Sequence, residues 1–254
     1  MIGPFCDFSA LRFPVILCLA RDRKTFSLHH TETRTVSLLT FFLGLITGTS
    51  RRIRGKLPPI DLVGYETLLH FMVLNNTLLV DGDLVEIGTF LGGGAYKLSR
   101  FLRKNNCPKK IYVIDVFDPD FDLTKNVTGL SMSSLYKDYM GRYGKKSQRQ
   151  VFFEAIEGLD NIVVLEGDSA QAEIPSKSVC FGFIDGNHDP KYVESDFYLV
   201  WNKLSSNGVV AFHDYEFDLP QVTQKIEDLA VRHAQEIKAL DHDKEKHILF
   251  IIKK

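Results

Sequence analysis

From about residue 60 onward, short apolar runs alternate with longer stretches of helical period. Leu84–Ile87 (LVEI), Lys110–Asp115 (KIYVID), Ile162–Glu166 (IVVLE), Val179–Ile184 (VCFGFI) and Val209–Phe212 read as strands. Continuous apolar runs of this length suit a parallel sheet buried on both faces. Between them lie helical patterns. Ile60–Asn75 carries Leu62, Leu69 and Val73 among its apolar positions, and Ala95–Leu102 places Leu98, Phe101 and Leu102 on one stripe. Val151–Gly158, Lys191–Leu204 and Leu219–His233 follow, with Ser205–Gly208 read as a turn. Glu236–Leu240, a polar turn at Asp241–Lys244 and His247–Ile252 read as a closing hairpin. Strand–helix repetition ending in a hairpin predicts an α/β fold, its sheet mostly parallel with one antiparallel strand near the C-terminus.

Residues 1–59 do not share this rhythm and are expected to form an N-terminal, partly helical extension. Phe13–Ala20 is apolar but short, is followed by Arg21-Asp22-Arg23-Lys24 and shows no small-residue cleavage site, which argues against a signal peptide. Val36–Thr47 is apolar over about three turns, whereas a membrane span needs roughly 20 such residues. It is expected to pack on the domain or to join two copies as a homodimer. Arg51, Arg52, Arg54 and Lys56 read as a solvated linker before Pro58-Pro59. The domain proper is expected over 60–254. Within it, 116–150 is too long for a simple connection and reads as a lid-like insertion or a packed surface helix.

Composition narrows this little. The net charge is -1 over 254 residues, which gives no drive toward nucleic acid or an anionic membrane. The scattered cysteines, Cys6, Cys18, Cys107 and Cys180, form no C-x-x-C pair and fit a reducing, cytoplasmic setting.

The candidate chemistry begins at Leu84–Ala95, LVEIGTFLGGGA. Strand, glycine-rich turn and helix in this order form the cofactor end of a Rossmann-like, doubly wound sheet. The spacing G-x-x-x-G-G-G is not the dinucleotide fingerprint G-x-G-x-x-G, and no Gly-Lys-Ser/Thr follows for a P-loop. Each later strand that carries the pattern ends in a carboxylate: Asp115, Asp168, Asp185 and Asp214. Such groups gathered at one sheet edge repel unless cations or hydrogen-bond donors intervene. Asp118, Asp120 and Asp122 suggest a calcium loop, but its sixth and twelfth places hold Leu123 and Gly129, so that reading fails.

With Glu86 two residues before Gly88, the open glycine spacing, IDGNH (Ile184–His188) and AFHDY (Ala211–Tyr215), the chain from about Ile60 onward resembles class I S-adenosylmethionine (SAM) dependent methyltransferases. Within them it is similar to small-molecule O-methyltransferases: the macrocin-type sugar enzymes, the cephalosporin-hydroxylase-like enzymes and, more distantly, catechol O-methyltransferase. The resemblance implies that Glu86, Gly88, Thr89 and the turn of Gly92, Gly93 and Gly94 hold the methionine part of SAM. It implies that Asp115 accepts the ribose hydroxyls and that Asp168 and Ser169 flank the adenine. It also implies a divalent metal on Asp185, His213 and Asp214. An acidic residue is usual at His213, and imidazole moves the preference from magnesium toward manganese, iron or zinc. Asn187 replaces an acidic candidate base, which leaves His188 as the expected base beside Asp185. The implied reaction is methyl transfer to a hydroxyl of a sugar, phenol or natural-product intermediate. A metal-independent enzyme, a non-catalytic SAM-binding protein and an NAD-dependent dehydrogenase are the alternatives, the last disfavoured by the glycine spacing.

Overall fold

The computed structural model of the chain describes residues 61–254. The expected N-terminal extension, its Val36–Thr47 stretch and the dimer contact assigned to it lie outside the described residues. The strands are β1 (Asp83–Ile87), β2 (Ile111–Asp115), β3 (Ile162–Glu166), β4 (Val179–Ile184), β5 (Leu204–Phe212), β6 (Ile237–Asp243) and β7 (Ile248–Lys253). The helices are α1 (Glu66–Leu74), α2 (Gly93–Lys104), α3 (Met132–Gly141), α4 (Gln148–Ala155), α5 (Pro190–Trp201) and α6 (Pro220–Arg232).

The strands form one sheet in the order β3-β2-β1-β4-β5-β7-β6. β1 to β5 pair in parallel, while β7 runs against both β5 and β6. The expected mostly parallel sheet with one reversed strand is therefore what forms. Alternate strand residues feed two cores. Leu84, Val113, Phe181 and Phe183 face α1, α2 and α4 through Leu68, Leu98 and Phe152. Val85, Ile114, Ile184 and Phe212 face α5 and α6 through Phe197, Trp201 and Ile226. Burial of each such side chain stabilises the fold by about 1.5–3 kcal/mol relative to exposure, which fixes the strand registers.

Several boundaries differ from the sequence reading, each for a local reason. α1 starts only at Glu66, and Leu62 lies before it, 43% exposed. α2 starts at Gly93, because Gly92 takes the left-handed conformation at the N-cap (φ 82°). α4 starts at Gln148, where Ser147 and Gln150 exchange hydrogen bonds in a capping box. The expected turn at Ser205–Gly208 is instead a bulge inside β5: Val179 pairs with Leu204 and Phe181 already with Val209.

Strand order reverses direction between β1 and β4, and a crevice opens at their carboxyl ends. Gly88 makes this close approach feasible. It has φ +80°, and a Cβ there would collide with the Asp185 carbonyl at the end of β4.

Candidate active site

The crevice is lined by the turn after β1 (Gly88, Thr89, Phe90), by Asp115 and Asp118 after β2, by Gly167 and Ser169 after β3, and by Asp185, Gly186 and Asn187 after β4. The insertion covers it with Phe121, Asp122, Tyr136 and Gln148. Tyr136 of α3 packs on Phe90, ring centroids 5.2 Å apart, so the insertion does contribute a wall. Phe90, Phe117 and Asp214 all hold left-handed backbones at this rim (φ 51°, 52° and 58°). Non-glycine residues adopt that conformation at a cost of about 1–2 kcal/mol each. Their clustering marks the rim as a place where geometry is held against local preference.

Asp115 organises the β2 side of the crevice. Its Oδ2 accepts the backbone N–H groups of Thr89 and Phe90 at 2.9 and 3.0 Å. Its Oδ1 accepts Phe117 N–H at 2.6 Å and the Gln148 side-chain amide at 3.2 Å. Burial raises its pKa, and these neutral donors offset that only in part. Glu86, fully buried, accepts the Tyr65 hydroxyl at 2.5 Å. Tyr65 reaches it by crossing Gly94, where any Cβ would strike the tyrosine ring. Glu86 Oε2 and Thr89 Oγ1 are buried without a hydrogen-bond partner. Burial pushes the Glu86 carboxyl up to about 8, with the hydrogen bond from Tyr65 pulling the other way. Two orphaned oxygens beside a pocket-lining turn are what an incoming ammonium group would satisfy.

The β4–β5 side is a chain of alternating acids and imidazoles. His188 places Nδ1 2.5 Å from Asp122 Oδ2 and Nε2 2.7 Å from Asp214 Oδ2. Its backbone N–H also donates to Asp122 at 3.2 Å. His213 Nδ1 lies 3.0 Å from Asp185 Oδ1 and 3.3 Å from Asp214 Oδ1. Burial lowers the pKa of both rings, but the carboxylates outweigh it. His188 is raised to about 10 by Asp122 and Asp214, and His213 to about 11 by Asp185 and Asp214. Burial alone would raise Asp214, yet the two histidines hold it well below the usual carboxylate range. The neighbouring carboxylates thus favour the protonated form of both rings, and that positive charge offsets the repulsion among the acids gathered at this edge. One ligand atom each from Asp185, His188 and Asp214 lies within 4.8 Å of the others, a spacing that suits a metal ion.

A family model described as a methyltransferase domain matches residues 85–215, just over half of the chain. The chain belongs to this methyltransferase family. Among solved structures it is similar to the O-methyltransferase NovP, with a TM-score of 0.60 and 16% identity over 86% of this chain and 99% of that one. It is also similar to the calicheamicin methyltransferase CalS11, with a TM-score of 0.50 and 13% identity over 91% of this chain and 98% of that one. At such identities the likeness is one of fold. No curated protein matches the sequence significantly.

In this methyltransferase the expected residues fall into four groups. Gly88, Thr89, Gly94, Asp115, Ser169 and Asp185 line the crevice. Glu86 lies beneath the turn, and Gly92 and Gly93 set its exit into α2. Asp168 turns into the short 3-10 turn Ser169–Gln171, accepting Ala170 N–H at 3.0 Å, and sits beside the wall rather than in it. His188, His213 and Asp214 form the adjoining cluster, and both His188 nitrogens are engaged there. Sequence reasoning missed Asp122, Tyr65 and Gln148. Asp122 stands in the run DPDFD, whose acidic spacing points to a calcium loop and carries no sign of its histidine partner 66 residues on. Tyr65 and Gln148 carried no local signal, since each acts on residues far along the chain.

Among the described residues no helix is long and apolar enough to cross a membrane.

Proposed function

We propose that the protein transfers a methyl group from SAM to a hydroxyl oxygen of a small molecule. The observation that carries this is a juxtaposition. Glu86 and Thr89 carry orphaned oxygens at and beneath the turn that lines the crevice, and the same crevice is lined by Asp185 of the acid–imidazole cluster.

SAM supplies an electrophilic methyl on sulfur. The chain's own residues have four tasks. Glu86, Thr89 and the Gly88–Gly94 turn take up the amino-acid end. Asp115 accepts the ribose hydroxyls, its 3.2 Å bond from Gln148 being the one a hydroxyl replaces most readily. Ser169, with Asp168 beside it, bounds the adenine. Tyr136 and Phe121 exclude water from above. Holding the acceptor oxygen about 3 Å from the methyl carbon contributes several kcal/mol to the rate. The new O–CH3 bond forms as the C–S bond breaks, and the acceptor's proton must leave. His188 can receive it only after its Nε2 has given up a proton to solvent, because in the arrangement described both ring nitrogens lie on carboxylates that favour the protonated ring.

Asp185, His188 and Asp214 would hold a divalent ion, their ligand atoms lying within 4.8 Å of one another, while the expected ligand His213 stands beside them, 3.0 Å from Asp185 and 3.3 Å from Asp214. The donor set is two carboxylates and an imidazole, and the imidazolium charges there mark where cationic charge is wanted. Such an ion would lower the pKa of the acceptor hydroxyl and orient it.

Calorimetry with S-adenosylhomocysteine, followed by methyl transfer to a panel of sugar and phenol hydroxyls with and without chelator, tests the reading. Product formation abolished by excess chelator is the expected result. Full turnover in chelator removes the metal role. Binding of NAD but not of S-adenosylhomocysteine ends the whole proposal. Manganese affinity should also rise from pH 6 to pH 8, by up to about tenfold per unit, because the ligand imidazole must lose its proton. An affinity independent of pH would place the ion elsewhere.

A further inference from the structure

The insertion over 116–150 contributes an acid to the acid–imidazole cluster as well as a wall to the crevice. Asp122 lies in it, ahead of α3, and is 4% exposed. Three N–H groups converge on its carboxylate. Thr124 N–H donates to Oδ1 at 2.9 Å. His188 brings both its backbone N–H, at 3.2 Å, and its ring Nδ1, at 2.5 Å, to Oδ2. Asp196 on α5 is the opposite case, buried with neither oxygen partnered. The segment that carries Asp122 is held on both sides. Phe121 O accepts the Asn187 amide at 3.2 Å, and the Phe121 ring meets Tyr192 with centroids 5.4 Å apart. Asp122 O accepts Ser133 N–H at 3.0 Å at the start of α3. Asp120, in the same acidic run, is engaged elsewhere: the Ser133 hydroxyl donates to it at 2.6 Å, and Lys137 pairs with it at the surface.

We propose that Asp122 is a positioning residue that fixes the tautomer of His188, so that Nδ1 keeps its proton and Nε2 is the atom left to take a metal ion. The inference rests on the reading that Asp185, His188 and Asp214 hold a divalent ion. An ionised carboxylate only accepts, so the ring nitrogen against Asp122 has to carry hydrogen. A neutral imidazole has one N–H, and here it is the one on Nδ1. Nε2 lies 2.7 Å from Asp214 Oδ2, on the side of the ring where the other two ligands stand. A carboxylate behind a ligating histidine also orients the ring and raises its basicity. Asparagine cannot substitute, because its amide has one acceptor oxygen and one NH2. With the oxygen toward His188, the NH2 meets Thr124 N–H. With the NH2 toward His188, it meets the backbone N–H there and draws the ring proton onto Nε2. A residue of the insertion thus sets the ligand chemistry of the loop after β4.

The test measures manganese affinity by electron paramagnetic resonance and S-adenosylhomocysteine affinity by calorimetry, on the full chain, in wild type, Asp122→Asn and Asp120→Asn. Asp122→Asn is expected to weaken manganese binding by about tenfold to a hundredfold and to leave S-adenosylhomocysteine within about threefold of wild type. Asp120→Asn removes the same charge from the exposed part of the run and should change manganese affinity by less than about threefold. Manganese affinity unchanged in Asp122→Asn, or lowered equally in both variants, overturns the inference. So does a parallel loss of manganese and S-adenosylhomocysteine in Asp122→Asn, which would make Asp122 a brace of the insertion only. Should Asp122→Asn not fold, nitrogen NMR of histidine-labelled wild type loaded with zinc carries the test, the His188 signals being identified by their absence in His188→Gln. A proton on Nδ1 with Nε2 on the metal is expected, and a proton on Nε2 overturns the inference. Wild type that binds neither manganese nor zinc overturns the metal reading, and this inference with it.

Discussion

Two carboxylates a few residues from the same crevice are stabilised in different ways. Asp115, on the β2 side, has four neutral donors: three backbone amides and the Gln148 side chain. Asp214, on the β5 side, has two imidazolium rings. Burial opposes ionisation at both. At Asp115 burial wins and the pKa rises, whereas at Asp214 the histidines win and it falls. Dipoles offset part of a desolvation cost, while a full positive charge reverses it. The first arrangement is set by the backbone of the β1 turn and is complete on folding. The second is built of protons on side chains, which pH or a metal ion can exchange. One side is suited to gripping a cofactor, the other to handling a proton.

The largest expected effect probes the backbone that both sides share. Gly88→Ala drives a Cβ into the Asp185 carbonyl at a positive φ. It should cost about 4 kcal/mol or more in urea unfolding, or prevent folding. A loss under 1 kcal/mol would show that β1 and β4 approach less closely than described.

Next is Asp115→Ala, which strands the amides of Thr89, Phe90 and Phe117. Each buried unsatisfied donor costs about 1–3 kcal/mol, and the β1 turn should loosen with a loss of S-adenosylhomocysteine affinity of about a hundredfold. Unchanged affinity with lowered stability would leave Asp115 a turn brace only.

The contrast sharpens with pH. His188 is raised from 6.5 to about 10 and His213 to about 11. A raised histidine contributes its stability fully below the unfolded value, and loses it as pH rises through the folded one. Metal-free protein should therefore lose melting temperature steadily from pH 6.5 up to about 11. Glu86 adds the same sign earlier. Its unfolded form ionises above 4.5 while the native form keeps its proton to about 8, so stability falls across that window. His188→Gln should flatten the upper slope and leave the lower one. An unaltered upper slope in that variant would sink the imidazolium assignment for His188.

The smallest effect lies at the edge of the 116–150 insertion. Ser147→Ala removes half of the capping box of α4 and should cost about 1 kcal/mol. By loosening Gln148 it should weaken S-adenosylhomocysteine binding by less than threefold, and it should not touch the pH slopes of the cluster.

Strand positions, the reversed last strand and the acidic strand ends were legible because each rests on local pattern: apolar runs, glycine punctuation and chain order. The glycine run was legible as a turn but not in its reasons. Gly88 answers to the Asp185 carbonyl and Gly94 to the Tyr65 ring, and both contacts come from distant segments. His188 and His213 were read as base and ligand from their motifs. Their pairing with Asp122, Asp185 and Asp214 depends on how the insertion and two loops meet, which no spacing encodes.

What the sequence determined by itself was the sheet and the gathering of acids at its carboxyl edge, since periodicity decides which face of each element is buried. Only the tertiary structure decided which acids receive amides, which receive imidazolium and which, like Asp196, receive neither. Ionisation depends on burial and on neighbours within a few ångströms, and those are properties of the packed chain.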